Sequence, residues 1–197
     1  FGPCEVDRAF VAALCDGLPF DPRAGGRMHR REHSLEFQTL FLRRRLDGWD
    51  RRRIVPILCC FPHIAPGGPE PPYPDAWRAA FTERLARLLD RSTLLVLGID
   101  FAHVGRRFGD RPGGVETMRE AIEREDRRMI DLLAEGALDR FQGMLDSERD
   151  ARRICGYPAL RTLLEACDGL KGEAIDYGQA VDPSLDSLVS FGAMVFR

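Results

Sequence analysis

Asp100 and His103 stand three residues apart, directly after the apolar run Thr93-Leu94-Leu95-Val96-Leu97-Gly98. A carboxylate can ligate a metal or fix the tautomer of a histidine, and an imidazole can ligate or shuttle protons near neutral pH. The pair could therefore converge on one bound ion or one proton. The apolar run is too short for a lone helix and is bounded by Ser92 and Gly98, so it reads as a buried, parallel-type strand. In open α/β sheets ligands sit just beyond the carboxyl ends of strands, which is where this acid and imidazole fall. The plainer alternative is an aspartate capping the next helix and a histidine on the surface, and the spacing alone does not separate the two.

Cys155 is the second group with chemical promise. It lies just before an expected helix start and beside Arg152 and Arg153, and both features favour a thiolate, hence a nucleophile or a metal ligand. The remaining cysteines, Cys4, Cys15, Cys59, Cys60 and Cys167, sit mostly in apolar runs without paired C-x-x-C spacing. That argues against a disulfide framework or a structural zinc site and suits a reducing cytoplasm. A third pattern, His29-Arg30-Arg31-Glu32-His33, fits the inverted zinc-peptidase motif H-x-x-E-H. That chemistry needs both histidines on one helix. Ala24-Gly25-Gly26 before the motif and the N-cap candidate Ser34 after it place the helix start beyond His33, which weakens the peptidase reading.

The elements that must position these groups follow from periodicity. Amphipathic spacing predicts helices over Val6–Leu14, Leu35–Leu46, Ala76–Leu89, Val115–Leu133 and Leu138–Leu145, and one opening near Pro158. The second should bury Leu35, Phe41, Leu42 and Leu46. Strands are expected at Ile54–Cys60 (Pro56 pushing it toward an edge or a bulge), Leu94–Gly98, Ala174–Val181 and Leu188–Phe196. Phe61–Pro74 is loop by its Pro and Gly content, and His63 within it reads as a loop residue. Helices alternating with apolar strands indicate one α/β layered domain over residues 1–197, with a central mixed or parallel sheet.

Composition narrows the function. The chain has 197 residues, 44% hydrophobic and 30% charged, and a net charge of −2. No long uncharged apolar run suggests a membrane helix, and this charge argues against affinity drawn mainly from phosphates. Arg43–Arg45 and Arg51–Arg53 lack an aromatic platform, so nucleic acid is not an expected partner. Lys171 is the only lysine, a bias that reflects coding preference more readily than a role for every arginine.

Several motifs in one order carry a resemblance: Glu32-His33-Ser34-Leu35-Glu36, Ile54-Val55-Pro56-Ile57, Asp100-Phe101-Ala102-His103-Val104-Gly105-Arg106-Arg107-Phe108, Ile154-Cys155-Gly156-Tyr157-Pro158, Tyr177-Gly178-Gln179 and Asp186-Ser187-Leu188-Val189-Ser190-Phe191. Nearly end to end, the chain resembles the Memo (mediator of cell motility) family, whose prokaryotic members are called AmmeMemoRadiSam system protein B. The resemblance implies a fold like that of class III extradiol dioxygenases, an α/β sandwich that in the enzymes holds non-haem iron. By the same resemblance Asp100, His103 and Cys155 line the metal-binding pocket. His103 matches the acid/base histidine of the related dioxygenases, Cys155 stands where those enzymes use a carboxylate ligand, and Glu32 and His33 match the E-H-S signature at the pocket.

This sequence also departs from the family pattern. The P-H-A-G-Y and G-P-S-H-H motifs that supply two histidine ligands in family members do not occur, and Gly98-Ile99 replaces two serines. The expectation is a truncated or degenerate member: a Memo-like protein whose dioxygenase-related pocket binds a metal or a small molecule or peptide ligand, and not an efficient catalyst as it stands. Iron, copper or zinc would be weakly held or absent. The alternative is a non-haem metal-dependent redox enzyme when complete, with the zinc peptidase more remote.

Overall fold

The computed structural model describes residues 3–59, 74–111 and 114–197, apart from the side chains of Arg31 and Asp50. His63 and Cys60 lie outside the described residues. Those described form two compact units, residues 3–59 with 74–98 and residues 99–111 with 114–197.

The first unit is helical. Asp7 caps α1 (Arg8–Cys15) by accepting the Phe10 amide at 2.9 Å, and α1 packs on α3 (Asp75–Leu88). Leu14, Trp49, Phe81 and Leu85 are its buried apolar side chains. Phe20 stacks on Trp77 with ring centroids 4.9 Å apart. Between them in sequence comes α2 (His33–Arg45), which starts two residues earlier than Ser34 suggests because Glu32 is the cap and accepts the Ser34 amide at 2.8 Å. No described side chain of α2 is buried, and Phe37 and Phe41 are exposed. The expected stripe of Leu35, Phe41, Leu42 and Leu46 is therefore not covered as a core face.

The strands expected in this unit do not form. Ile54 makes only an isolated parallel bridge to Val6, and residues 55–59 are in no strand. Residues 94–98 also form no strand, and none of their backbone groups is hydrogen-bonded among the described residues. Leu94 and Val96 are exposed while Leu95 and Leu97 are half-buried. The alternation of a strand is present, but a strand also needs a neighbour to take its N–H and C=O groups.

The second unit holds the sheet. Strands β1 (His103–Gly105), β2 (Gly172–Asp182) and β3 (Ser187–Phe196) are ordered β1-β3-β2, and both pairings are antiparallel. The chain is thus mixed helix and sheet as expected, but among the described residues its sheet is antiparallel throughout, neither mixed nor parallel. The hairpin runs from Gly172↔Phe196 to Asp182↔Ser187, with an irregularity between Ala174 and Asp176. Asp182 organises its turn by accepting the amides of Ser184 (2.9 Å) and Leu185 (3.2 Å). β1 joins β3 at His103↔Val189 and Gly105↔Ser187. Gly105 has φ 106°, and a Cβ there would lie 2.1 Å from the Asp186 carbonyl oxygen, so only glycine fits.

Helices α4 (Val115–Ala134), α5 (Leu138–Glu148) and α6 (Tyr157–Ala166) complete the unit. α4 packs on β2, β3 and α5, and α5 packs on α6. The core gathers Phe101, Val104, Ile122, Met129, Leu133, Phe141, Leu145, Ile154 and Leu188, all 5% exposed or less. Pro158 falls in the first turn of α6, where a missing N–H is harmless.

Candidate functional site

Asp100, His103 and Cys155 come together in the second unit. The amides of Phe101 and Ala102 are tied to β3: Phe101 N–H donates to Ser190 O at 2.8 Å and Ala102 N–H to Ser190 Oγ at 2.9 Å. His103 then enters β1 with its own amide donating to Arg152 O at 2.7 Å. The segment 152–155 is thereby laid against the segment 100–103. Gly156 allows the approach: a Cβ there would sit 2.7 Å from Ile99 Cβ and 3.0 Å from Asp100 O. Cys155 Sγ lies 4.0 Å from Asp100 O, and His103 Nε2 lies 3.6 Å from Asp100 Oδ2.

The imidazole is held by its other nitrogen. His103 Nδ1 is 3.2 Å from both Phe101 O and Arg153 O. Carbonyl oxygens only accept, so Nδ1 must carry the proton in these contacts. In the neutral ring Nε2 is then the unprotonated nitrogen, and it stands 3.6 Å from an Asp100 carboxylate that also only accepts, so the two acceptors share a gap that a donor would fill. Phe108 meets the ring edge-on at 5.1 Å, and the His103 side chain is only 17% exposed against 49% for Asp100.

Arg153 straps the loop that follows β1. Its guanidinium donates to His103 O (3.1 Å) and to both carboxylate oxygens of Asp110 (2.5 and 3.1 Å). Asp110 also accepts the Gly105 amide at 2.8 Å. The Arg153 hydrogen bond holds the Asp110 carboxyl below its ordinary range despite some burial. Arg149, Asp150 and Arg153 all adopt positive φ (52°, 52° and 51°), a concentration of uncommon backbone that the surrounding contacts must sustain.

Arg152 is not free to act on Cys155. It is 4% exposed, pairs with Asp126, and grips Glu148 through Nε (2.7 Å) and Nη2 (3.0 Å). With Arg153 committed to Asp110, neither arginine of the sequence pattern serves the thiol. Cys155 is exposed, yet the atoms packed around its sulfur push the thiol up, and the nearby Asp100 carboxylate adds to it. Neither this environment nor the two committed arginines favours the thiolate expected from the sequence, and the S–H is a weak donor.

The sequence offered one unused sign of this polar core. Asp126 lies on the apolar stripe of α4 among Ile122, Met129 and Leu133, where a charge needs a buried partner. It is 0% exposed, accepts from Tyr177 Oη at 2.8 Å and pairs with Arg152. Gln179 Nε2 in turn donates to Tyr177 Oη at 2.9 Å. Burial raises the Asp126 carboxyl, with these partners pulling it back, and burial raises the Tyr177 hydroxyl.

Glu32 and His33 belong to the first unit. Glu32 is engaged as the α2 cap, and the Ser34 amide it accepts holds its carboxyl below the ordinary range. The His33 side chain is 74% exposed, with Nδ1 3.7 Å from Glu32 Oε1 and its ring edge-on to Phe37. His29 lies in the preceding 3₁₀ segment Pro22–Arg31. His29 and His33 therefore do not share a helix, and the requirement of the peptidase motif is not met. Among the described residues no three His, Cys, Asp or Glu side chains form a group that could hold a metal ion, which is fewer donors than the about three protein ligands a resident iron needs. No helix among the described residues is long and apolar enough to cross a membrane.

The family described as Memo-like protein matches residues 1–195. A MEMO1 family protein of Aquifex aeolicus is 28% identical over 200 residues, which takes in 99% of this chain and 48% of that protein. A MEMO1 family protein of Thermus thermophilus is 31% identical over 196 residues, 99% of this chain and 54% of that protein. The chain spans about half the length of these curated relatives.

Proposed function

This chain belongs to the Memo-like protein family, and from that premise we propose that Asp100, His103 and Cys155 form a binding site for a small molecule or peptide, used as a binding module of an AmmeMemoRadiSam-type system. The observation that carries this reading is the convergence of the three residues, with Asp100 Oδ2 3.6 Å from His103 Nε2 and Cys155 Sγ 4.0 Å from Asp100 O. With Nδ1 engaged, the imidazole offers an acceptor nitrogen, and Asp100 offers acceptor oxygens beside it. A ligand that brings hydroxyl or amine donors satisfies both, and Cys155 adds a polarizable contact.

The enzyme reading, a non-haem metal-dependent redox enzyme or dioxygenase, requires more donors than the described residues bring together. Copper(I) or zinc would meet at most the Cys155 sulfur and the His103 nitrogen, which suits loose, reversible binding. The test is metal analysis of the purified chain after dialysis, followed by assay with catechol and titration of Zn²⁺ against the His103 imidazole signals. The binding-module reading expects sub-stoichiometric metal, no catechol turnover and reversible shifts at His103. Stoichiometric iron that survives dialysis and is lost on Cys155→Ala would overturn it in favour of the enzyme.

A further inference from the structure

Helix α2 turns its largest apolar side chains outward. One side of it lies against its own unit: a Cβ at Gly98 would stand 2.8 Å from Ser34 O and 2.7 Å from Gln38 Cγ, and Leu35, Leu42 and Leu46 are half-buried. On the other side His33, Glu36, Phe37, Phe41, Arg44 and Arg45 are exposed, Phe37 at 52% and Phe41 at 64%. At 3.6 residues per turn these six fall within about half of the helix circumference. Phe37 and Phe41 are neighbours one turn apart, and the His33 ring meets Phe37 edge-on at 5.8 Å, so three rings run along the face. Single exposed hydrophobic side chains are ordinary, whereas contiguous ones rimmed by charge mark a contact surface.

The charges of this face say what covers it. Glu36 lies in the first turn of α2, and Arg44 and Arg45 lie in the last. A second copy laid antiparallel across a two-fold axis between Phe37 and Phe41 puts each acidic end against a basic end and opposes the two helix dipoles. A parallel copy would set arginine on arginine. A polyanion or an anionic membrane would meet the Glu36 carboxylate beside Phe37. We propose that the exposed face of α2 is a self-docking surface: two copies pair antiparallel through Phe37 and Phe41, with Glu36 of each facing Arg44 and Arg45 of the other. The face is about 18 Å long and about 10 Å wide, well short of the ~800 Å² per partner of a standard interface, so the association is weak and reversible.

The experiment is sedimentation velocity of the chain over a hundredfold range of concentration, micromolar upward. Wild type should pass reversibly from monomer to dimer. Phe41→Ser should weaken the dimer by about tenfold or more. Glu36→Arg and the double variant Arg44→Glu/Arg45→Glu each give both ends one sign and should stay monomeric, while their equimolar mixture should restore a 1:1 dimer. All four positions are exposed, so these variants keep the fold, which circular dichroism checks. Val96→Lys, in the segment 94–98 whose backbone nothing pairs with among the described residues, should dimerise as wild type does. A wild-type chain that stays monomeric throughout overturns the proposal, as does a mixture of the charge variants that fails to associate, or self-association lost in Val96→Lys and kept in Phe41→Ser. A monomeric wild type that binds oligouridylate in the same concentration range also overturns it and assigns the face to nucleic acid.

Discussion

Replacing Arg152 by methionine isolates the worth of the buried ion pair. Methionine approximates the length of the arginine stem, so packing is largely kept while three charge-assisted hydrogen bonds go, one to Asp126 and two to Glu148. Glu148 retains a 19% exposed side chain and can turn to solvent, whereas Asp126 is 0% exposed and cannot. Breaking a buried pair from one side costs about 3–5 kcal/mol. Tyr177 still donates to Asp126, which lowers the expectation to about 2–4 kcal/mol at pH 8. At a urea m-value of about 1–3 kcal/mol/M this shifts the midpoint by on the order of 1–2 M. Both tryptophans, Trp49 and Trp77, lie in the other unit, so far-UV circular dichroism is the appropriate probe. The loss must also depend on pH. Burial already raises the folded-state carboxyl of Asp126, and Arg152 opposes that rise. Without Arg152 the carboxyl rises further, so stability is fully present below the unfolded value of about 3.9 and is lost as pH climbs through the folded value. The deficit of Arg152→Met should therefore be smaller at pH 5 than at pH 8, and adding Asp126→Asn should recover part of it. A deficit below about 1 kcal/mol at pH 8, or one equal at both pH values, refutes this account of the pair.

Three further outcomes follow. Alkylation of Cys155 by iodoacetamide at pH 7, followed residue by residue by mass spectrometry, should be slower than that of an unperturbed thiol, and Asp100→Asn should speed it; faster alkylation in the wild-type chain would restore the thiolate reading. Asp110→Asn should destabilise the chain near neutral pH, and its gap to wild type should close as pH falls through the depressed folded-state value of Asp110, below about 3.9; denaturant midpoints at pH 6 and pH 3 check this, and a gap that persists at pH 3 contradicts it. Glu32→Ala should cost about 0.5–1 kcal/mol through the lost α2 cap, read as faster amide exchange at Ser34, and unaltered exchange would show that the cap does not matter.

Where the elements are amphipathic the sequence was informative. The stripe of Val115, Ile122, Met129 and Leu133 located α4 almost to the residue, and alternation at Val189, Phe191, Ala193 and Val195 located β3. Leu94–Gly98 and Ile54–Cys60 misled because an apolar run states that a strand could be buried, not that a partner strand is present to pair with it. α2 misled for a related reason: its leucines and phenylalanines mark a face, and no described residue of that face is buried. At the site, the convergence of Asp100, His103 and Cys155 was legible only through the family resemblance, since positions up to 55 residues apart carry no local signal. The arginines beside Cys155 were visible, but their charges are consumed by Asp126 and Asp110, far away in sequence, and by Glu148, four residues before Arg152. Asp126 carried a signal that the helix pattern alone did not use, a charge on the apolar stripe of α4.

Residues 94–98 set a practical limit on handling this chain. Among the described residues nothing pairs with their backbone groups, and Leu94 and Val96 are exposed; a segment of this kind is a template on which another chain can add a strand. Encounters between two such templates are second order in concentration. Losses should therefore climb steeply as a sample is concentrated, while dilute samples keep for long periods. A lysine at position 94 or 96 would put a like charge on both partners of every such encounter and lengthen the life of a concentrated stock without touching the Asp100–His103–Cys155 cluster.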